Sequence, residues 1–134
     1  MTNDHARRSI ALVALVAEDE PLFRMQTADL LADAGFEVIE VANAAHALAQ
    51  FETQAPIALL FTDVRMPGRM NGLTLAHEVD RRWPNTSIII CSGMGTLDQT
   101  ALPAKAVFFD KPYLTDRVSA AIRTALDGAE TPGS

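Results

Sequence analysis

Five polar side chains in this sequence each stand just beyond a short apolar run. Glu18 and Asp19 follow Ile10–Ala17, Asp63 follows Ile57–Thr62, Ser92 follows Ser87–Cys91, and Lys111 follows Ala106–Asp110. Brought to one place, three carboxylates, one hydroxyl and one ammonium have a definite chemistry. Clustered carboxylates repel one another, and one of them holds its proton more tightly unless a cation intervenes. Oxygen-only ligands favour a hard cation, and a site with few protein ligands suits Mg²⁺, which keeps several of its waters. With that charge present, Asp63 stays ionised and can attack phosphorus to give an aspartyl phosphate. Positive charge from the metal and Lys111 would offset the charge on the transferring oxygens.

Such chemistry depends on the elements that carry these residues. The apolar runs Ile10–Ala17, Glu37–Ala42, Ile57–Thr62, Ser87–Cys91 and Ala106–Asp110 read as five strands. Three are nearly all apolar rather than alternating, as in strands covered on both faces. Helical patterns fill the gaps. Pro21–Ala34 starts with a proline and stops at Gly35, with Phe23, Thr27, Leu30, Leu31 and Ala34 on one face. Asn43 is placed to cap Ala44–Thr53. Leu73, Ala76, Val79 and Trp83 predict the inner stripe of a third helix ended by Pro84, and Leu114, Val118, Ala121, Ile122 and Ala125 that of the last. From Gly93 to Lys105 the helical signal is weak, so a helix there is short. Alternating strands and helices predict an α/β fold, a doubly wound parallel sheet with helices on both faces. In such sheets ligands sit beyond the carboxyl ends of the strands, which is where the five polar residues fall.

Each residue alone has a plainer explanation. Glu18-Asp19-Glu20 could cap the next helix, Asp63 could open the turn at Pro67-Gly68, and Ser92-Gly93 and Lys111-Pro112 are ordinary loop pairs. Their joint placement at four strand ends is what those explanations leave unexplained.

Glu18-Asp19, Asp63 with Met66-Pro67 and Gly72, Ile88–Ser92 with Gly93, and Lys111-Pro112 together resemble the response-regulator receiver family (CheY-like) across nearly the whole chain. The resemblance implies a flavodoxin-like five-stranded sheet of order 2-1-3-4-5, with Asp63 as phosphoacceptor. It implies that Asp19 and Asp63 bind Mg²⁺ directly, with the backbone carbonyl of Arg65 as third ligand and Glu18 acting through water. Ser92 would bond the phosphoryl group, Lys111 would pair with it, and the Lys111–Pro112 bond would be cis. A charged-acceptor hydrogen bond from Ser92 is worth about 1.5–3 kcal/mol, enough to move a two-state equilibrium about ten- to 150-fold. Phe108 occupies the position of the family's mobile aromatic, where it can only pack. The sequence departs from the pattern at the longer Glu18, in a loop Met66–Gly72 about one residue longer than the common form, in Arg65 beside the site, and in the short segment 93–105.

The resemblance implies a phosphorylation switch of a two-component or phosphorelay system, expected as a stand-alone receiver, with the receiver of a longer protein such as a hybrid kinase left open. The chain's expected donors are a histidine kinase or a histidine phosphotransfer protein, and its output goes through protein–protein contacts with an unidentified target. Homodimerisation stays open. A receiver-like scaffold that is never phosphorylated is the alternative, and an aspartate-nucleophile phosphatase the remoter one. Phosphatases of the haloacid dehalogenase type use a second Asp two residues after the nucleophile, and Arg65 stands there. A flavodoxin-like cofactor binder needs a phosphate-cradling loop after the first strand, where Glu18-Asp19-Glu20 would repel phosphate.

Bulk properties agree. The 134 residues suffice for one domain, and a net charge of −6 with scattered Lys and Arg argues against nucleic acid as a partner. No run approaches the roughly 18 apolar residues of a membrane span. Single Cys91 reads as a buried strand thiol in a reducing compartment, so a cytoplasmic protein is expected. Residues 1–9 and 128–134 are expected as flexible tails around a domain at 10–127. His5, His46 and His77 read as surface residues, and Met66, Met70 and Met94 either line a partner surface or pack their loops.

Overall fold

A computed structural model of the chain describes residues 12–54, 56–93, 101–111 and 115–130. Its strands are β1 (Val13–Ala17), β2 (Glu37–Val41), β3 (Leu59–Asp63), β4 (Ser87–Ser92) and β5 (Val107–Asp110), and its helices α1 (Pro21–Ala34), α2 (Ala44–Gln54), α3 (Gly72–Arg82) and α4 (Thr115–Glu130). The strands form one parallel sheet in the order β2-β1-β3-β4-β5. This is the expected flavodoxin-like, doubly wound arrangement.

Strand composition follows position in the sheet. All five residues of β3 are buried, as are the last four of β1 and the last five of β4, which accounts for their unbroken apolar runs. Both edge strands, β2 and β5, expose their first residue and a later one. Side chains of the central strands alternate between two cores. Ala14, Val16, Phe61, Ile89 and Cys91 meet Ala28, Leu31, Val118 and Ile122 on the α1/α4 face. Leu15, Leu60, Ile88 and Ile90 meet Ala47, Phe51, Leu75 and Val79 on the α2/α3 face.

The helix ends follow local chemistry. Glu20 caps α1, its Oε1 accepting the Phe23 amide at 2.7 Å. Gly35 ends that helix at φ 117°, a left-handed conformation that favours glycine. Asn43 Oδ1 accepts the His46 amide at 2.8 Å at the head of α2. Asn71 does the same for α3, accepting from Thr74 at 2.9 Å.

Two sequence expectations need correcting. The inner stripe of α3 is Gly72, Leu75, Ala76 and Val79, with Leu73 only half-buried on its flank. The helix phase is set by Gly72, whose amide donates to the Val64 carbonyl at 2.8 Å and turns Leu75 inward. The last helix continues past 127 to Glu130. Gly128 has open space around its α-carbon, and Ala129 extends the turn. The N-terminal tail, residues 131–134, the 94–100 part of the weak segment, Met94, Leu114 and the Lys111–Pro112 bond lie outside the described residues. Among the described residues no helix is long and apolar enough to cross a membrane.

Candidate functional site

At the carboxyl edge of the sheet the ladder runs one residue past β1, the Glu18 amide donating to the Val41 carbonyl at 3.0 Å. Glu18 is buried, at 3% exposure, and both of its carboxylate oxygens are engaged. Oε2 accepts the Glu20 amide at 3.0 Å, and Oε1 accepts from Lys111 Nζ at 2.6 Å. Its carbonyl accepts from Arg24 Nη1 at 2.9 Å, while Arg24 Nε pairs with Glu40 Oε1 at 3.5 Å. Helix capping therefore falls to Glu20, and Glu18 belongs to the site. Asp19 is exposed beside it.

Asp63 closes β3 in register with Cys91 and is almost fully buried. Its Oδ2 accepts from Lys111 Nζ at 3.2 Å, and its carbonyl takes the Thr62 hydroxyl at 2.8 Å. Helix α3 begins hard against this carbonyl. A Cβ on Gly72 would lie 1.6 Å from the Asp63 oxygen, so only glycine allows the approach. Sequence reading noted Gly72 as part of a motif, and the close backbone contact supplies its physical reason.

Lys111 follows β5, where its amide donates to the Ser92 carbonyl at 2.8 Å and so ties the ends of β4 and β5. Its ammonium lies 4.2 Å from the centroid of the Phe23 ring. Ser92 is buried at the end of β4, opposite Asp110. Phe108 is half-buried and packs against the α2/α3 core, while Phe109 packs against the α1/α4 core. Arg65, two residues past Asp63, has an exposed side chain. Met66 and Met70 pack against the α2/α3 core, as loop packing requires. His46 and His77 are exposed, the first bonded to Asn43 in its own helix cap and the second to the Ala101 carbonyl 24 residues on.

One carboxylate oxygen from each of Glu18, Asp19 and Asp63 lies within 4.8 Å of the others. An all-oxygen donor set of that spread fits a hard divalent cation better than a softer one. The electrostatics run the same way. Burial pushes the Glu18 carboxyl above its ordinary range, outweighing the hydrogen bonds from Lys111 and the Glu20 amide, and the Asp63 charge adds to the rise. For Lys111 burial is the largest single influence and lowers its proton affinity. The Glu18 hydrogen bond and the charges of Asp63 and Glu18 together overcome it, and the net shift is upward. Burial likewise pushes the Cys91 thiol up, so it stays protonated and unreactive.

The structure thus brings Glu18, Asp19, Asp63, Ser92 and Lys111 to one edge, as their spacing predicts. Sequence reading missed two contributors, Phe23 and Arg24. Both lie in the first turns of α1, which starts at that edge, and this adjacency was the available signal.

Comparison with known proteins agrees with the geometry. The family profile of the response regulator receiver domain matches residues 14–123. The chemotaxis protein CheY of Bacillus subtilis is 35% identical over 118 residues, covering 84% of this chain and 96% of that protein. CheY of Thermotoga maritima is 32% identical over 115 residues, covering 81% and 92%. Among solved structures, a response regulator receiver protein from Sinorhizobium medicae superposes with a TM-score of 0.81 at 26% identity, covering 87% of this chain and 95% of that one.

Proposed function

The chain belongs to the response regulator receiver domain family, and from that premise we propose that it is a phosphorylation-dependent switch with Asp63 as phosphoacceptor. The observation that carries this reading is the placement of Lys111 Nζ, 3.2 Å from Asp63 Oδ2, beside a cluster of three carboxylates. Receivers are signalling switches rather than classical enzymes, and the chemistry here is a single group transfer.

The Asp63 carboxylate attacks the phosphorus of a phosphohistidine on a histidine kinase or histidine phosphotransfer protein. The nitrogen–phosphorus bond breaks as the oxygen–phosphorus bond forms, and the imidazole leaves with its electron pair. Lys111 offsets charge on the transferred group, an electrostatic contribution preorganised by the Ser92–Lys111 backbone bond. Mg²⁺ held by Asp19, Asp63 and the Arg65 carbonyl, with Glu18 acting through water, would supply further positive charge to the phosphoryl oxygens. Glu18 and Asp63 share Lys111, so negative charge in the pocket is only partly offset before a cation or phosphoryl arrives.

Ser92 ends the strand next to Asp63 and would bond the new phosphoryl oxygens. Phe108, on the neighbouring strand, would follow by repacking on the α2/α3 core. The response would be read by a protein partner in the cytoplasm.

The test incubates the protein with Mg²⁺ and a small phosphodonor and reads intact mass and phosphate-affinity gel shift, with Asp63→Asn alongside. One acid- or hydroxylamine-labile phosphoryl per chain is expected, dependent on Mg²⁺ and lost in Asp63→Asn. An adduct that persists in that variant, or none with any donor, would remove Asp63 as acceptor and leave an unphosphorylated scaffold.

A further inference from the structure

Two carboxylates account for the charge on Lys111 but not for where its ammonium is held. Lysine carries its charge on a flexible four-carbon stem, and ordering that stem costs entropy. Here the stem is bracketed. On one side it runs past Gly93, where an added Cβ would sit 3.9 Å from both Cβ and Cδ of Lys111. On the other, Nζ lies over the face of the Phe23 ring, 4.2 Å from its centroid. The ring is itself fixed relative to the acids. The Phe23 amide is bound by Glu20 at 2.7 Å, and the next residue, Arg24, is bonded to the Glu18 carbonyl at 2.9 Å.

We propose that Phe23 is a positioning residue for Lys111, its ring face holding the ammonium within reach of Asp63. Aromatic faces attract cations through the ring quadrupole, most strongly where water is displaced, and Lys111 keeps only 18% of its side-chain exposure. Unlike the two ion pairs, this contact uses no carboxylate oxygen. It persists when those oxygens are committed to a metal, and it keeps Lys111 from swinging out when its bond to Glu18 is weakened. The kinetic arm of the test rests on the phosphoacceptor reading, and the spectroscopic arm does not.

The full-length protein is compared with Phe23→Leu, Phe23→Tyr and a series carrying fluorinated phenylalanines at position 23. In chelator, NMR should show the Lys111 ε-methylene protons shifted upfield by the ring current, a shift kept in Phe23→Tyr and lost in Phe23→Leu. With Mg²⁺ and a small phosphodonor, Phe23→Leu should take up phosphoryl about threefold to tenfold more slowly, and Phe23→Tyr within about twofold of the parent. Fluorination keeps the ring's shape while draining its electron density, so the rate should fall progressively along that series even if Phe23→Leu does not fold. An unshifted ε-methylene in the parent, or a rate indifferent to fluorination, overturns the proposal. A parent chain that takes up no phosphoryl yet shows the upfield shift overturns the phosphoacceptor reading instead and leaves the ring contact established.

Discussion

At the amino end of the sheet, Thr86 Oγ1 donates to the Ile57 carbonyl at 2.7 Å and Lys105 Nζ to the Pro84 carbonyl at 2.7 Å, with Asp80 3.3 Å away. At the carboxyl end, Lys111 reaches two carboxylates, one of them 93 positions away in the chain and the other 48. The first set joins side chains to backbone carbonyls, and its one cation, Lys105, has its own carboxylate partner. The second gathers like charges around a single ammonium. Arrangements of the first kind hold loops. Those of the second kind are costly unless a ligand resolves the imbalance, because buried like charges raise one another's proton affinity. Burial of charge without full local compensation therefore separates the functional end from the structural one.

The most severe break in this comparison is at Gly72. In Gly72→Ala the new Cβ meets backbone, the Asp63 carbonyl, and no flexible side chain can yield. Loss of more than about 3 kcal/mol is expected by urea unfolding, because overpacking there displaces α3 from β3. A variant as stable as the parent would show that the strand end and helix can separate freely, and that Asp63 is not held by this approach.

At the other end, Thr86→Val removes a buried hydroxyl and leaves the Ile57 carbonyl without that donor. Stability should drop by about 1–3 kcal/mol, while the rate of phosphoryl uptake at saturating Mg²⁺ stays at the parent value. A matching drop in that rate would erase the distinction between the two ends.

Much of this was legible in the sequence. Buried strands announce themselves when covered on both sides, and β1, β3 and β4 do so by runs such as Leu59–Leu60–Phe61 and Ile88–Ile89–Ile90. The positions of Glu18, Asp63, Ser92 and Lys111 follow from those strands, because each lies at or just beyond a carboxyl end. The phase of α3 was not legible. Leu73 and Leu75 are equally apolar, and the choice between them is made by the Gly72 contact with β3, which no helical periodicity encodes. Nor could Phe23 be separated from the core stripe. Thr27 and Leu31 do face the core, but one turn nearer the site the same face meets the Lys111 ammonium. Glu18 and Glu20 likewise carry the same side chain two residues apart. The strand end already singles out Glu18, and what the fold adds is that Glu20 is the one that caps α1.

The finest test of the comparison is the pH dependence of Glu18→Gln, measured in chelator. Burial raises the Glu18 carboxyl above its ordinary value of 4.5. A carboxyl whose folded-state pKa is raised contributes stability that is fully present below 4.5 and is lost as pH rises through the folded value. Glutamine keeps the size and loses the charge, so it mimics the protonated parent. The stability of Glu18→Gln relative to the parent should therefore be lowest near pH 4 and increase towards pH 7.5, the rise being tempered by Lys111, which offsets part of the burden. Saturating Mg²⁺ should flatten or invert that trend, because a nearby cation favours the ionised carboxyl. A relative stability independent of pH in chelator would mean that Lys111 alone already compensates Glu18, and that the carboxyl end, like the amino end, carries no unresolved charge.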